Sequence, residues 1–93
     1  MAWLIRIADL AQKDIRKLDR KVQGDIIRFF RELIELSVDP RQTGKALKGD
    51  FGELWRYRLG DYRVICDIQD LVVTVLVLRV RHRKDAYRRS SKS

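Results

Sequence analysis

Leu54-Trp55-Arg56-Tyr57-Arg58-Leu59-Gly60-Asp61-Tyr62-Arg63-Val64-Ile65 is the stretch that decides the fold. Two alternating runs flank Gly60-Asp61, a dipeptide suited to closing a tight two-residue hairpin. With those residues as the loop, Leu59 faces Tyr62, Arg58 faces Arg63, Tyr57 faces Val64, Arg56 faces Ile65 and Trp55 faces Cys66. Strand side chains alternate between faces. One face then carries Trp55, Tyr57, Leu59, Tyr62, Val64 and Cys66 and needs a core. The other carries Arg56, Arg58, Arg63 and Ile65. Like charges opposite each other across a strand pair are destabilising, by tenths of a kcal/mol up to about 1. A bound polyanion would offset that repulsion, and arginine's planar fork suits phosphate geometry. Asp67 has the strand parity to reach the same face, so partial neutralisation within the sheet is the competing account.

Working outward, Trp3 to Ile7 reads as a short strand. Asp9 offers an N-cap, and Leu10, Ala11, Ile15 and Leu18 form a helical stripe. Leu18 to Lys21 reads as a break. Val22, Ile26, Phe29, Phe30, Leu33 and Ile34 then recur at three- and four-residue steps, the clearest amphipathic helix in the chain. Asp39-Pro40 stops it, because the residue before proline is pushed out of the helical region. Residues 41–52 read as a loop with three glycines. After the hairpin, Gln69-Asp70 turns the chain into Leu71 to Val80, a long apolar strand expected to be central. The order is β-α-α-β-β-β, an α+β domain with a helical hairpin packed on an antiparallel sheet. A short helical or irregular C-terminal tail follows and is expected to fray over residues 88–93.

Ninety-three residues make one domain, 1–93, with one modest core. The formal net charge is +8. Residues 1–40 hold eight Lys/Arg against seven Asp/Glu, and residues 41–93 hold thirteen against six. The first part reads as an ordinary scaffold and the second as a surface built to meet polyanions. Cys66 is the only cysteine and His82 the only histidine. A disulfide within the chain and a Cys-rich zinc site are thereby excluded, and no metal site or cofactor is expected. The N-terminal apolar run breaks too early for a signal peptide, and no run has membrane-spanning length. A cytoplasmic protein with no membrane partner is expected.

The second basic concentration is Val80-Arg81-His82-Arg83-Lys84-Asp85-Ala86-Tyr87. It follows the central strand and should emerge near the arginine face. Cations around a phenol favour its ionised form, and they stabilise charge developing at a phosphodiester under attack.

These two stretches, together with Lys45-Ala46-Leu47-Lys48-Gly49, Val75 to Val80, the opening strand and Ile15-Arg16-Lys17-Leu18, resemble the RelE branch of the RelE/ParE toxin superfamily over nearly the whole chain. The resemblance implies the toxin of a type II toxin–antitoxin pair. RelE-type toxins enter the ribosomal A site and cut the mRNA codon there without a metal. The 2′-hydroxyl attacks the adjacent phosphorus, leaving a 2′,3′-cyclic phosphate and a 5′-hydroxyl. That chemistry needs a base, cations for the phosphorane and an acid.

Carried onto this chain, the resemblance makes Arg56, Arg58, Arg63, His82, Arg83 and Tyr87 the catalytic set. Arg56 and Arg58 match two basic positions where many relatives have lysine. Arginine at Arg56 is a poor base, since it is effectively always protonated. Arg63 matches the arginine holding the scissile phosphate, and Arg83 the one stabilising or protonating the leaving group. His82, with an ordinary pKa near 6.5, can exchange protons at neutral pH. Tyr87 either stacks on a codon base or serves as the base. Lys45, Lys48, Arg81 and Lys84 are expected to touch RNA or the ribosome. Arg81 stands where relatives commonly have glycine, and Cys66 reads as a small core residue. The implied partners are the ribosome with its mRNA and an acidic RelB-like antitoxin encoded nearby, with DNA met only through the antitoxin complex. Two other readings compete: a ParE-like poison of DNA gyrase on the same scaffold, and a non-catalytic nucleic-acid-binding module.

Overall fold

The computed structural model describes residues 3–36, 39–49 and 52–84. Strand β1 (Leu4–Ile7) leads into helices α1 (Asp9–Arg16) and α2 (Arg20–Leu36). Strands β2 (Lys45–Gly49), β3 (Gly52–Leu59), β4 (Tyr62–Gln69) and β5 (Thr74–His82) follow. Short 3₁₀ turns lie at Pro40–Gln42 and Asp70–Val72. The five strands form one sheet in the order β1-β5-β4-β3-β2, with the helices on one face. Among the described residues, no helix is long and apolar enough to cross a membrane.

The hairpin register is the one read from Gly60-Asp61: Leu59 pairs with Tyr62, Arg58 with Arg63 and Tyr57 with Val64. Gly60 has φ +59°, the positive value a type II′ turn places at its first central residue. The faces also divide as expected. Tyr57, Val64 and Cys66 are buried with Val75, Val77 and Val80 of β5, and Trp55, Leu59 and Tyr62 pack against that cluster half-buried. From the helices, Ala11, Ile26 and Phe30 close the core, with Ile15, Leu18, Val22, Phe29 and Leu33 around them. Burying each large apolar side chain contributes roughly 1.5–3 kcal/mol. Phe29, Phe30 and Tyr57 form an aromatic cluster, with ring centroids 5.0 to 6.0 Å apart.

The structure corrects the sequence expectation at five points. The strand expected from Leu71 begins at Thr74, and Leu71 and Val72 lie exposed in the 3₁₀ turn before it. The sheet is mixed: β1 runs parallel to β5, its only partner among the described residues, while the other pairings are antiparallel. The segment expected as a loop contains β2, in which Lys45 pairs with Arg56 and Leu47 with Leu54. Its short Lys-Ala-Leu alternation is stabilised by pairing along β3, a contact that a local pattern does not show. Asp9 does not cap α1. Ala8 holds that position without a side-chain bond, and Asp9 sits in the first turn, where its charge suits the helix dipole. Leu10 is exposed and lies outside the buried stripe. The fraying expected over residues 88–93 lies outside the described residues.

Tyr57 ties this core to the chain leaving α2. Its hydroxyl donates to the Pro40 carbonyl at 2.5 Å, and burial pushes the phenol's pKa up. Tyr57→Phe keeps the ring but leaves that carbonyl without its partner. A loss of about 1–2 kcal/mol is expected, read as an earlier midpoint in urea unfolding.

Candidate nucleic-acid interface

Three arginines stand in one row. Arg58 of β3 pairs with Arg63 of β4, and Arg63 pairs with Arg81 of β5. Residues opposite each other share a face, so the row lies on the side the helices leave uncovered. Neighbouring strands are about 4.8 Å apart, so the row spans about 10 Å. A parallel row runs Lys45, Arg56, Ile65 and Arg79. Asp67, the carboxylate with the parity to neutralise this face, instead accepts from the Gln69 amide at 3.1 Å.

The members of the row differ in freedom. Arg58 is exposed. Arg63 is only 6% exposed, so it is less open than the alternation implies. Its Nη1 donates to the carbonyls of Gly60 and Tyr62, both at 3.1 Å. The guanidinium thus braces the turn that sets the register, and its Nε and Nη2 make no further bond among the described residues.

The same turn holds the start of the tail. The Arg83 backbone N–H donates to the Asp61 carbonyl at 2.7 Å, and its Nε lies 3.9 Å from the Asp61 carboxylate. Arg83 is therefore fixed beside the hairpin tip with its guanidinium half-exposed. The His82 ring meets Tyr62 edge-to-face with centroids 5.3 Å apart. Its Nδ1 accepts from the Lys84 backbone N–H at 3.2 Å. In that arrangement the ring proton sits on Nε2, and Nδ1 cannot accept a proton without releasing Lys84. Nε2 is therefore the ring nitrogen left to make a further hydrogen bond, as a donor. Lys45 and Lys84 are exposed and Arg56 is half-buried. Tyr87 and the Lys48 side chain lie outside the described residues.

One group was not legible as part of this region. Asp14 of α1 accepts from Arg79 Nε at 2.8 Å, from Arg79 Nη2 at 3.2 Å and from the Val80 backbone N–H at 2.9 Å. It does so where a bulge shifts the β4–β5 register between Ile65 and Cys66 and leaves Leu78 without a partner. Bulges re-aim side chains, and here the bulge accompanies the turn of Arg79 toward α1. Burial raises the Asp14 pKa, but the Arg79 and Val80 bonds outweigh it and the net shift is downward. Because the folded carboxyl titrates below the unfolded one, its stabilisation is full above pH about 4 and is lost as the pH falls through the depressed folded value. Asp14→Asn should be less stable than wild type at pH 7 by about 1 kcal/mol, and the gap should close toward pH 2 in thermal melts.

Cys66 is buried and its thiol pKa is raised by that burial, as fits a core residue. Among the described residues, no three His, Cys, Asp or Glu side chains gather as a metal site.

Comparison with known proteins places the chain. Residues 5–87 match the family model described as ParE toxin of the type II toxin–antitoxin system. Toxin RelG of Mycobacterium tuberculosis is 34% identical over 89 residues, spanning 96% of this chain and all of that protein. Toxin RelE of the same organism is 31% identical, over 90% of this chain and 84% of its own. Among solved structures, the toxin–antitoxin complex RelBE2 from M. tuberculosis contains a chain similar with TM-score 0.73 and 28% identity, covering 88% of this chain and 99% of that one. A double arginine-to-alanine mutant of E. coli RelE in the free state superimposes with TM-score 0.75 at 25% identity, over 97% of this chain and 93% of its own. The chain belongs to the RelE branch of the RelE/ParE superfamily of type II toxin–antitoxin toxins.

Proposed function

We propose that this toxin is a ribosome-dependent endoribonuclease that cuts mRNA at the codon in the ribosomal A site and so stops translation. The observation that carries the reading is the row Arg58, Arg63 and Arg81 on the uncovered sheet face. Three cations in one row, the middle one braced by its own turn, match the needs of a pentacoordinate phosphorane, whose added negative charge is best met by donors already in place. A surface that only binds nucleic acid has no need to brace one arginine against its own hairpin turn.

In the proposed reaction the 2′-oxygen bonds to the adjacent phosphorus as the bond from phosphorus to the 5′-oxygen breaks. One proton leaves the 2′-hydroxyl and one reaches the departing 5′-oxygen. Arg63 and Arg58 hold the non-bridging oxygens. Arg83, fixed at the hairpin tip, and His82, donating a hydrogen bond from Nε2, stabilise the charge on the leaving oxygen, which takes its proton from solvent water. Arg56 cannot act as base, because a guanidinium stays protonated. That leaves Tyr87 as the group proposed to activate the 2′-hydroxyl or to stack on the codon. Lys45, Lys48, Arg81 and Lys84 extend the contact to the RNA and ribosome. No cofactor is proposed.

The proposed regulator is an acidic, RelB-like antitoxin encoded nearby, in keeping with the similar toxin solved within a toxin–antitoxin complex. DNA is reached only through that complex. Action on ribosomes sets the proposed location in the cytoplasm.

Purified toxin added to ribosomes programmed with a defined mRNA tests this reading. Fragments ending in a 2′,3′-cyclic phosphate within the A-site codon are expected. The same mRNA without ribosomes should be cut far more slowly, because the ribosome supplies the alignment. Intact mRNA in both reactions, with gyrase-dependent DNA cleavage instead, would favour the gyrase-poison reading that the ParE description of the family model suggests.

A further inference from the structure

A cleft of about 410 Å³ opens where the C-terminal end of α1 meets the far end of β5. Lys17, Leu18, Tyr62, Arg81 and His82 line it, with the Asp14–Arg79 pair at its side. We propose that this cleft holds one nucleotide of the RNA strand, next to the reacting one, with its phosphate on Lys17 and Arg81 and its base against Tyr62 and Leu18. The inference rests on the nuclease reading for the identity of the strand, and it adds Lys17, Leu18 and Tyr62 to the RNA-contacting residues.

The charge of the cleft favours an anion. Asp14 is the carboxylate in its wall, and both its oxygens are engaged by Arg79 and the Val80 N–H. That pair is neutral as a unit. Lys17 and Arg81 have no carboxylate within 4.0 Å among the described residues. Arg81 also acts on Asp14 and helps hold its pKa down, yet the lining still sets three cations, Lys17, Arg79 and Arg81, against that one carboxylate. Leu18, Tyr62 and His82 add an apolar and aromatic wall. A site for an inorganic anion alone has no use for that wall. A base laid on an aromatic ring gains binding without sequence choice, because every base has a π-face. Volume agrees as well, since 300 to 1,000 Å³ is the usual range for a pocket holding a small organic group.

Position links the cleft to the arginine row. Arg81 belongs to both, standing opposite Arg63 in register while lining the cleft. Tyr62 and His82, the next pair along, are opposite each other and in ring contact. A strand with its reacting phosphate on Arg58 and Arg63 therefore needs to advance only one strand spacing, about 4.8 Å, to reach Arg81 and the mouth of the cleft. The Asp14–Arg79 clamp holds α1 against the end of β5, which keeps Lys17 on the far lip.

The test is binding, read without cleavage. A trinucleotide RNA with methylated 2′-hydroxyls, which cannot be cut by 2′-attack, is titrated into the full chain and followed by amide NMR shifts and fluorescence anisotropy. Shifts are expected at Lys17, Tyr62 and His82. Lys17→Glu should weaken binding about tenfold more than Lys13→Glu, a charge-matched change one turn back on α1. Tyr62→Leu, which leaves the charge alone, should weaken it about fivefold or more. Equal losses for the two lysine variants, shifts confined to other surfaces, or displacement of the RNA by an equally charged polyglutamate peptide at equal concentration would each overturn the inference. A chain that fills the cleft but cuts no codon keeps this inference and loses the nuclease reading. A chain that cuts codons while Lys17→Glu and Lys13→Glu bind alike does the reverse.

Discussion

Arg63→Ala should lower codon cleavage on ribosomes by about 10²- to 10³-fold, the usual effect of removing one fixed donor from a site that stabilises developing charge. Arg63 is the middle of the row, opposite Arg58 on one side and Arg81 on the other. Its Nη1 is committed to the Gly60 and Tyr62 carbonyls, so the remaining nitrogens are held in one orientation. The same bonds give the substitution a second effect: stability should fall by about 1–2 kcal/mol. Cleavage must therefore be measured where circular dichroism shows the variant folded. Arg58→Ala separates the two roles. Arg58 is exposed and makes no ion pair among the described residues, so activity should drop with melting unchanged. Arg63→Lys keeps the charge but lacks the fork, and it should recover stability poorly and activity only in part. Cleavage within threefold of wild type in folded Arg63→Ala would remove the row from the mechanism.

Gly44→Ala should be the most destabilising single change in the described chain outside the core. Gly44 has φ +85°, a conformation that side chains with a Cβ rarely adopt. A Cβ there would lie 2.5 Å from Trp55 Nε1, 2.6 Å from the Arg56 carbonyl oxygen and 2.9 Å from Tyr57 Cδ1. The Arg56 carbonyl is backbone within the sheet and cannot step aside cheaply. Trp55 Nε1 is held by its bond to the Thr43 carbonyl at 2.7 Å, and Tyr57 by its bond to Pro40. The substitution combines strained φ, a clash and the loss of at least one hydrogen bond, at a cost of about 3 kcal/mol or more. In a domain of this size that corresponds to a fall in Tm of more than about 12 °C. A shift under 3 °C would show that the 43–44 corner can relax around the methyl group.

The hairpin was readable because Gly60-Asp61 pins one register, and a register slip by one residue would turn Tyr57 and Val64 out of the core. The α2 stripe was readable for the same kind of reason, since Ile26, Phe29, Phe30 and Leu33 repeat at helical steps and meet Tyr57. β2 was not readable, because its five residues gain their order from pairing with β3 across the corner at Gly44. Nor was the parallel pairing of β1. Leu4 lies 70 residues from its partner Thr74, and that contact is set by how the helices cross the sheet. For the site, alternation placed Arg56, Arg58 and Arg63 on one face. It could not show that Arg63 curls back onto its own turn. Asp14 lies off the apolar stripe of α1, and its bond to Arg79 accompanies the bulge beside Ile65, which leaves no mark in spacing. Val73 shows the same limit: a β-branched residue at φ +49° has no local signature favouring it.

The charge after residue 40 is proposed to form a cradle that does chemistry on mRNA. Primer extension on actively translated messages, before and after induction of the toxin, tests it most directly when wild type is run beside Arg63→Ala. Wild type is expected to give new ends inside codons of many open reading frames within minutes, and Arg63→Ala to give none above background. Intact messages together with double-strand DNA breaks would contradict the account.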